Sequence, residues 1–272
     1  MVDIIQLVNQ IDSVSILPIV LLVAIEIGID LVRKNQRDYR DTIANIAIAT
    51  MDRFTNTTIG YFCAFAGLTF FSRYSLLHWE VNSWTIILAA IVADFFYYWE
   101  HRAEHHIRFF WAYHSVHHSS TDYNLTVASR LSWIEVYILW IFYIPMALIG
   151  FPPLLIFIAV QIVALYQFWI HNQKIGRLGI LERVINTPAL HRVHHASNPL
   201  YIDRNFGGIL MIWDRFFGTY QSETETPIYG LTRNIKTNNP FKINVIEYYH
   251  LIRDIFKSHS LEEIWRSIVL VR

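Results

Sequence analysis

Five apolar stretches, each close to the length an α-helix needs to cross a bilayer, constrain this chain more than any other feature. A hydrocarbon core about 30 Å thick takes roughly 20 helical residues. The stretches run at about 14–32, 54–71, 84–99, 133–149 and 154–170. Glu26 and Asp30 sit near the end of the first. A helical lead-in to the second, 42–53, carries Asp52 and Arg53 and is expected near the interface. Gly150, Phe151, Pro152 and Pro153 mark a turn between the last two. From His171 onward the chain is polar enough to lie outside the bilayer.

Composition agrees. Of 272 residues 54% are hydrophobic and only 16% charged, where soluble domains carry about 25% charged residues. The expected fold is all-α: a polytopic membrane protein of about four to five transmembrane helices with a cytoplasmic, histidine-rich helical cap. It reads as one domain, 1–272, in three parts. Residues 1–93 are N-terminal membrane helices, 94–220 a histidine-box core, and 221–272 a C-terminal amphipathic tail. In that tail 245–268 shows apolar residues at helical spacing, among them Ile246, Tyr249, Ile252, Ile255 and Phe256.

Several classes are excluded. Lys+Arg and Asp+Glu balance at 22 each, so no basic field recruits nucleic acid. A single cysteine, Cys63, rules out an internal disulfide framework and a cysteine zinc site. The first apolar run has no basic lead and no small-residue cleavage site, and reads as a retained anchor. Trp79, Trp84, Trp99, Trp133 and Trp169 fall near span ends, where aromatic belts form. Arg33, Lys34, Arg37 and Arg40 follow the first span and favour a cytoplasmic loop. Counting spans from there puts the ends of the third and fifth, the start of the fourth and the C-terminal part on that same face.

The 13 histidines are not scattered. His101 and His105 are four apart, on one helix face. His114, His117 and His118 follow at i, i+3, i+4. His171 closes the fifth span, and His191, His194 and His195 repeat the i, i+3, i+4 pattern. His106 breaks the spacing and reads as a bystander; His78, His250 and His259 fall outside every group and read as surface residues. Neutral imidazole is a good ligand for Fe, Zn, Cu or Ni. Nine imidazoles suit two metal ions better than one, since an ion takes four to six ligands. Carboxylates are expected to orient the ring N–H groups. Asp94, two turns before His101 and inside an apolar span where ionisable groups are expensive, is the first candidate. Glu100, Glu104, Asp122, Asp203 and Asp214 are the others. Asn124 and Arg130, just after the second box, are candidates to hold the boxes at the membrane surface or to meet a lipid head group, with helix capping and interface anchoring equally good readings. Gly207 and Gly208 mark a tight turn or a close helix approach, with no phosphate-loop Lys-Ser/Thr after them.

The three boxes, split by a hairpin of apolar helices, resemble the fatty acid hydroxylase/sterol desaturase superfamily. Within it, DFFYYWEHRAEHHIRFFWAYHSVHHSSTDYNLTVASR and NTPALHRVHHASNPLYIDRNFGGILMIWDRFFGTY, with YGLTRNI beyond, resemble the alkylglycerol monooxygenase branch and its shorter bacterial-type relatives. The resemblance covers roughly 94–240. It implies a membrane-bound di-iron oxygenase with two Fe ions, O2 and an external electron donor, tetrahydrobiopterin or another. The implied substrate is a lipid hydroxylated on the carbon beside an ether oxygen, whose hemiacetal falls to an aldehyde and a glycerol derivative. It also implies an integral, multi-pass location: endoplasmic reticulum if eukaryotic, inner membrane if bacterial, with the active site on the cytoplasmic face. Sterol or fatty-acyl hydroxylation or desaturation is the alternative within the superfamily.

A redox-silent histidine metalloprotein, either a zinc hydrolase or a metal transporter, is the alternative from another class. A hydrolase would want a carboxylate base among its ligands, as in HExxH. A transporter would place its ligands at mid-membrane on broken helices. Neither feature is present.

Overall fold

The computed structural model describes residues 2–56 and 59–270, with side chains for 16–54 and 59–270. Parts of the first two expected spans, the side chains of 14, 15, 55 and 56 and residues 57 and 58, lie outside the described residues. So do the ends of the expected domain, residues 1, 271 and 272.

Twelve α-helices form among the described residues: α1 (Val2–Arg33), α2 (Tyr39–Asn56), α3 (Ile59–Ser72), α4 (Ser83–His106), α5 (Arg108–His118), α6 (Val136–Leu139), α7 (Ile144–Ile149), α8 (Pro153–Ile170), α9 (Pro188–His194), α10 (Ile212–Phe216), α11 (Pro240–Phe256) and α12 (Leu261–Val269). Among these residues only isolated β-bridges occur, with no strand. The all-helical expectation holds.

Local chemistry explains the ends. Asn82 caps α4: its side chain accepts from the N–H groups of Trp84 (3.0 Å) and Thr85 (3.1 Å), and the Thr85 hydroxyl accepts from Asn82 N–H (2.9 Å). The turn between α7 and α8 needs its glycine. Gly150 has φ 108°, and a Cβ there would lie 1.9 Å from the Leu77 carbonyl oxygen. Trp79 stacks on Phe151 at 5.3 Å and closes that turn.

One described helix, α8, is long and apolar enough to cross a membrane; α3 and the stretch Val136–Ile149 are shorter apolar helices. The fourth expected span is not one regular helix. A 3-10 segment, Trp140–Tyr143, separates α6 from α7, and Pro145 at the start of α7 removes a backbone donor there. The tail expected as one helix over 245–268 is two, because Ser260 caps a new start by accepting from Glu263 N–H (3.1 Å).

The core lies between α3, α4, α7 and α8. Ala89 and Ala93 on α4 meet Ala159 and Val163 on α8, with Leu68, Tyr143, Met146 and Phe151 around them. Small residues one turn apart let the two helices approach closely. The outer faces stay apolar: Leu17, Val20, Leu21 and Ile25 on α1, Ile59 and Phe62 on α3, Trp84 and Ile87 on α4, and Leu165 on α8 are exposed. Exposed apolar surface on this scale marks contact with lipid or another apolar body.

Glu26 and Asp30, which interrupt the first span, are buried at 3% and 4% exposure. Arg37 folds back on both, at 2.8 and 2.9 Å. Lys174 bonds Asp30 from the loop after α8, and Glu26 accepts from Leu125 N–H at 3.1 Å. The pairing offsets the desolvation of each charge. It also withdraws Arg37 from the surface, so the loop's exposed cations are Arg33, Lys34 and Arg40.

Candidate metal centre

The last turns of α4 deliver His101 and His105. The body of α5 delivers His114, His117 and His118. His171 is the C-cap of α8, α9 carries His191 and His194, and His195 caps α9. All nine are buried. They converge as two adjacent groups, and within each group the candidate donor atoms lie within 4.8 Å of one another. One group is His101, His105, His114, His118 and His194; the other is His117, His171, His191 and His195.

Each i, i+3, i+4 box is divided between the groups. The i, i+4 partners stay together, His114 with His118 and His191 with His195, while the third ring goes across. Residues four apart differ by about 40° around a helix, whereas His117 is about 100° from His118. Two boxes placed face to face therefore build two adjoining sites; the rings of His118 and His195 are 4.4 Å apart across the boundary.

Most of the rings are oriented from behind. His101 Nδ1 meets the carbonyl of Phe206 (2.9 Å), His171 Nδ1 that of Gln167 (2.7 Å) and His194 Nδ1 that of Arg204 (3.0 Å). His114 Nδ1 lies 3.0 Å from Glu104 Oε2, and His105 Nδ1 3.5 Å from Asp203 Oδ1. Carbonyls and carboxylates only accept, so these Nδ1 atoms carry the proton and the Nε2 atoms carry lone pairs.

The Nε2 atoms converge, and between His101 and His114 it is two lone pairs that meet. Nε2···Nε2 separations are 3.1 Å for His101–His114, 3.0 Å for His114–His118 and 3.1 Å for His118–His194. In the second group they are 3.1, 3.0 and 3.2 Å from His171 to His117, His191 and His195. His101 and His114 have both committed their protons elsewhere, so their contact is no hydrogen bond. His105 Nε2 is buried with no partner at all. A cation between the nitrogens removes the repulsion. Two ligands at right angles on one ion, with bonds of about 2.0–2.1 Å, sit about 3 Å apart. The donor set therefore fits metal ions, and five imidazoles in one group exceed the four that zinc prefers.

Burial, reinforced by neighbouring rings, pushes His101, His105, His117, His118, His191 and His195 well below the ordinary imidazole range. Burial takes His171 down to about 4 and His194 to about 3. These rings are neutral at physiological pH, as a ligand must be.

Asp94 does not orient a histidine. Its carboxylate accepts from the N–H groups of Ile209 (2.6 Å) and Leu210 (3.0 Å) and from Trp213 Nε1 (2.9 Å). It fastens the loop after the last box to α4. Gly208 makes that approach possible: a Cβ there would lie 2.7 Å from Val163 and 2.8 Å from Asp94. Glu104 holds the place expected of Asp94, because it lies ten residues before His114 on a different helix and meets it only after α4 and α5 fold together. Replacing Glu104 by Gln keeps the shape and loses the charge-assisted bond. Retention of metal against a chelator is expected to fall roughly 10–100-fold, read as bound metal per chain after dialysis.

Asp214 accepts from Phe206 N–H, Gly207 N–H and the Thr219 hydroxyl at 2.7–2.8 Å. Asn205, at φ 58°, donates to the carbonyls of Leu190 and Gln221. Together they present the carbonyls of Arg204 and Phe206 to two histidines. No sequence pattern marks a backbone carbonyl; the polar residues of YIDRNFGG and IWDRFFGTY were the available signal. Asp122 accepts from Asp38 N–H, and Glu100 is buried with Oε2 unpartnered; neither bonds a histidine of the two groups.

Asn124 takes the capping role, and Arg130 is buried. Arg130 is 1% exposed, and Asn124 caps the turn Leu125–Ser129 by accepting from Thr126 N–H (3.1 Å). His106 is exposed and turned to the carbonyl of Arg102; His78 and His259 are exposed, and His250 sits by Glu247. His106→Ala is expected to leave metal content and melting temperature within error of the parent, measured by elemental analysis and thermal unfolding in detergent.

The described residues thus form an all-helical body with two buried histidine groups at its helix ends. Residues 86–219 match the fatty acid hydroxylase family, and this segment of the chain belongs to it. The curated relatives include alkylglycerol monooxygenase of Homo sapiens, 47% identical over 64% of this chain and 38% of that protein. Alkylglycerol monooxygenase of Danio rerio is 44% identical over 70% of this chain and 43% of that protein. More distant is the ornithine lipid hydroxylase OlsE of Rhizobium tropici, 28% identical over 57% and 47%. The chain thus spans about two fifths of the length of the alkylglycerol monooxygenases it matches. No solved structure matches it.

Proposed function

We propose that this protein is an integral-membrane di-iron oxygenase that uses O2 to hydroxylate a lipid, and that the lipid is an ether lipid cleaved at its O-alkyl bond. The observation that carries the reading is the convergence of nine buried imidazoles as two adjoining donor sets. The similarity to alkylglycerol monooxygenases supports the choice of substrate. The nine ligands proposed are His101, His105, His114, His118 and His194 for one iron, and His117, His171, His191 and His195 for the other, with Glu104 and Asp203 behind His114 and His105. Bound iron supplies the redox chemistry with O2 that side-chain acid–base groups lack.

The chain's own residues hold five of the rings in one tautomer, exclude water from the nitrogens and position the reacting carbon. We place the bilayer around α1, α3, α4, α6–α7 and α8, with the histidine groups at the cytoplasmic ends of these helices. The lipid enters laterally between them, past side chains such as Phe95, Phe96, Trp140 and Phe168. The electron donor, a tetrahydropterin or another soluble reductant, approaches from the opposite side, near the loops that follow the second and third boxes.

The test is the iron-loaded protein with an alkylglycerol, a sterol and a free fatty acid under labelled O2, with and without a tetrahydropterin. Aldehyde released from the ether lipid supports the reading. Label found only in a sterol or acyl chain moves the protein to a sister branch. Zinc at one per chain with no iron, or iron-loaded reduced protein that labels no product, overturns it.

A further inference from the structure

The helices α11 and α12 leave one apolar face uncovered. Phe241, Val245, Tyr249, Ile252 and Phe256 on α11 are exposed, Phe256 at 83%. At 100° per residue their offsets of 0, 4, 8, 11 and 15 fall within a sector of about 80°. The opposite face buries Ile243, Asn244 and Leu251, and α11 packs against α5 and α2. Leu261 and Trp265, one turn apart on α12, are also exposed, at 85% and 65%. Lys242, Arg253 and Lys257, all exposed, follow one edge of the α11 stripe about 100–160° round from Phe241.

Two anchors set the height of α11. Near its start, Asn244 Oδ1 accepts from the N–H of Trp133, and Trp133 Nε1 donates to the Ile48 carbonyl; Trp133 opens the fourth apolar stretch. Near its end, Asp254 takes the Arg108 guanidinium at 2.7 Å, and Arg108 opens α5 directly after α4. Arg108 also donates to the Ser267 carbonyl of α12 (3.3 Å). α11 packs against α5, the helix that carries His114, His117 and His118, so it lies beside the histidine groups at the helix ends.

We infer that α11 and α12 form an interfacial pad that lies in the head-group layer of the bilayer, its apolar stripe in the acyl boundary and its lysines among anionic phosphates, and braces α5 from behind. An apolar stripe with a basic edge is what such a surface binds. The inference rests on the reading that the helical core is embedded in a membrane.

The test uses the full chain with Cys63→Ser, reconstituted in phosphatidylcholine vesicles containing phosphatidylglycerol, with single cysteines carrying an environment-sensitive fluorophore. Positions Tyr249, Phe256 and Trp265 probe the pad, Leu165 on α8 is the bilayer reference and Asn238 the water reference. Labels at the three pad positions should lose about half their emission to doxyl lipid and resist iodide, like Leu165 and opposite to Asn238. Iodide quenching at all three while Leu165 stays lipid-quenched overturns the pad alone. Iodide quenching at Leu165 as well overturns the membrane reading beneath it. Protection from both quenchers, with self-quenching that rises with protein-to-lipid ratio, overturns the pad in favour of a contact between two copies.

Discussion

Alanine at His118 or at His171 should remove one metal ion per chain and abolish turnover. Each ring's Nε2 lies within 3.2 Å of at least two others in its group: His118 beside those of His114 and His194, and His171 beside those of His117, His191 and His195. Losing either leaves a donor set open on one side and two or three buried ring nitrogens without a common partner. Activity is expected to fall by at least about a thousandfold, some 4 kcal/mol of barrier. Metal analysis should read about one ion per chain in each variant if the two groups hold separate ions. His105→Ala, His117→Ala and His194→Ala are expected to lose turnover in the same way. A single histidine variant in either group that keeps full metal and full turnover would show that its ring is not a ligand, and His106→Ala supplies the baseline.

The second large effect is on stability. Arg130→Met should destabilise the protein by about 3–5 kcal/mol, because it leaves the Asp41 carboxylate buried without its counter-charge. The guanidinium lies 3.1 Å from Asp41 Oδ1 and donates to Asn45 Oδ1 (2.6 Å), to the Val116 carbonyl (2.9 Å) and to Ser119 Oγ. These bonds tie α2 to the last turn of α5, which carries His117 and His118. Thermal unfolding in detergent measures the loss. The double variant Arg130→Met with Asp41→Asn should recover part of it, since the unpaired charge goes with the second change. A double variant as unstable as the sum of its two singles would mean that the ion pair is not the origin of the effect.

Much of the candidate site was legible because its signals are local. The Gly-Phe-Pro-Pro turn and the histidine spacings depend on residues within a few positions of one another. They locate the α7–α8 turn and nine rings without knowledge of any other helix. The relevant neighbours of other residues lie far away in sequence. Arg37 looked like a free cytoplasmic cation and is held by Glu26 and Asp30. Arg130, left by the sequence between capping and interface anchoring, is among the most buried side chains. The break within 133–149 comes at Trp140–Tyr143, inside an apolar run whose composition does not mark it.

By itself, then, the sequence determined the helical class, the apolar core helices and which rings gather, since helix periodicity and hydrophobic patterning act over one or two turns. Only the tertiary structure decided how each box divides between two groups and which carboxylate stands behind which ring. Those depend on the rotation of α4, α5, α8 and α9 about their own axes once packed. A turn of one residue, about 100°, exchanges His117 for His118. Asp94 and Glu104 are both acids on α4, and the sequence ranked them by environment. The fold ranked them by reach: Asp94 meets the backbone of the 209–213 loop, and Glu104 meets His114. The carbonyls of Phe206, Gln167 and Arg204 complete the site through atoms that every residue carries, so only their placement in space distinguishes them.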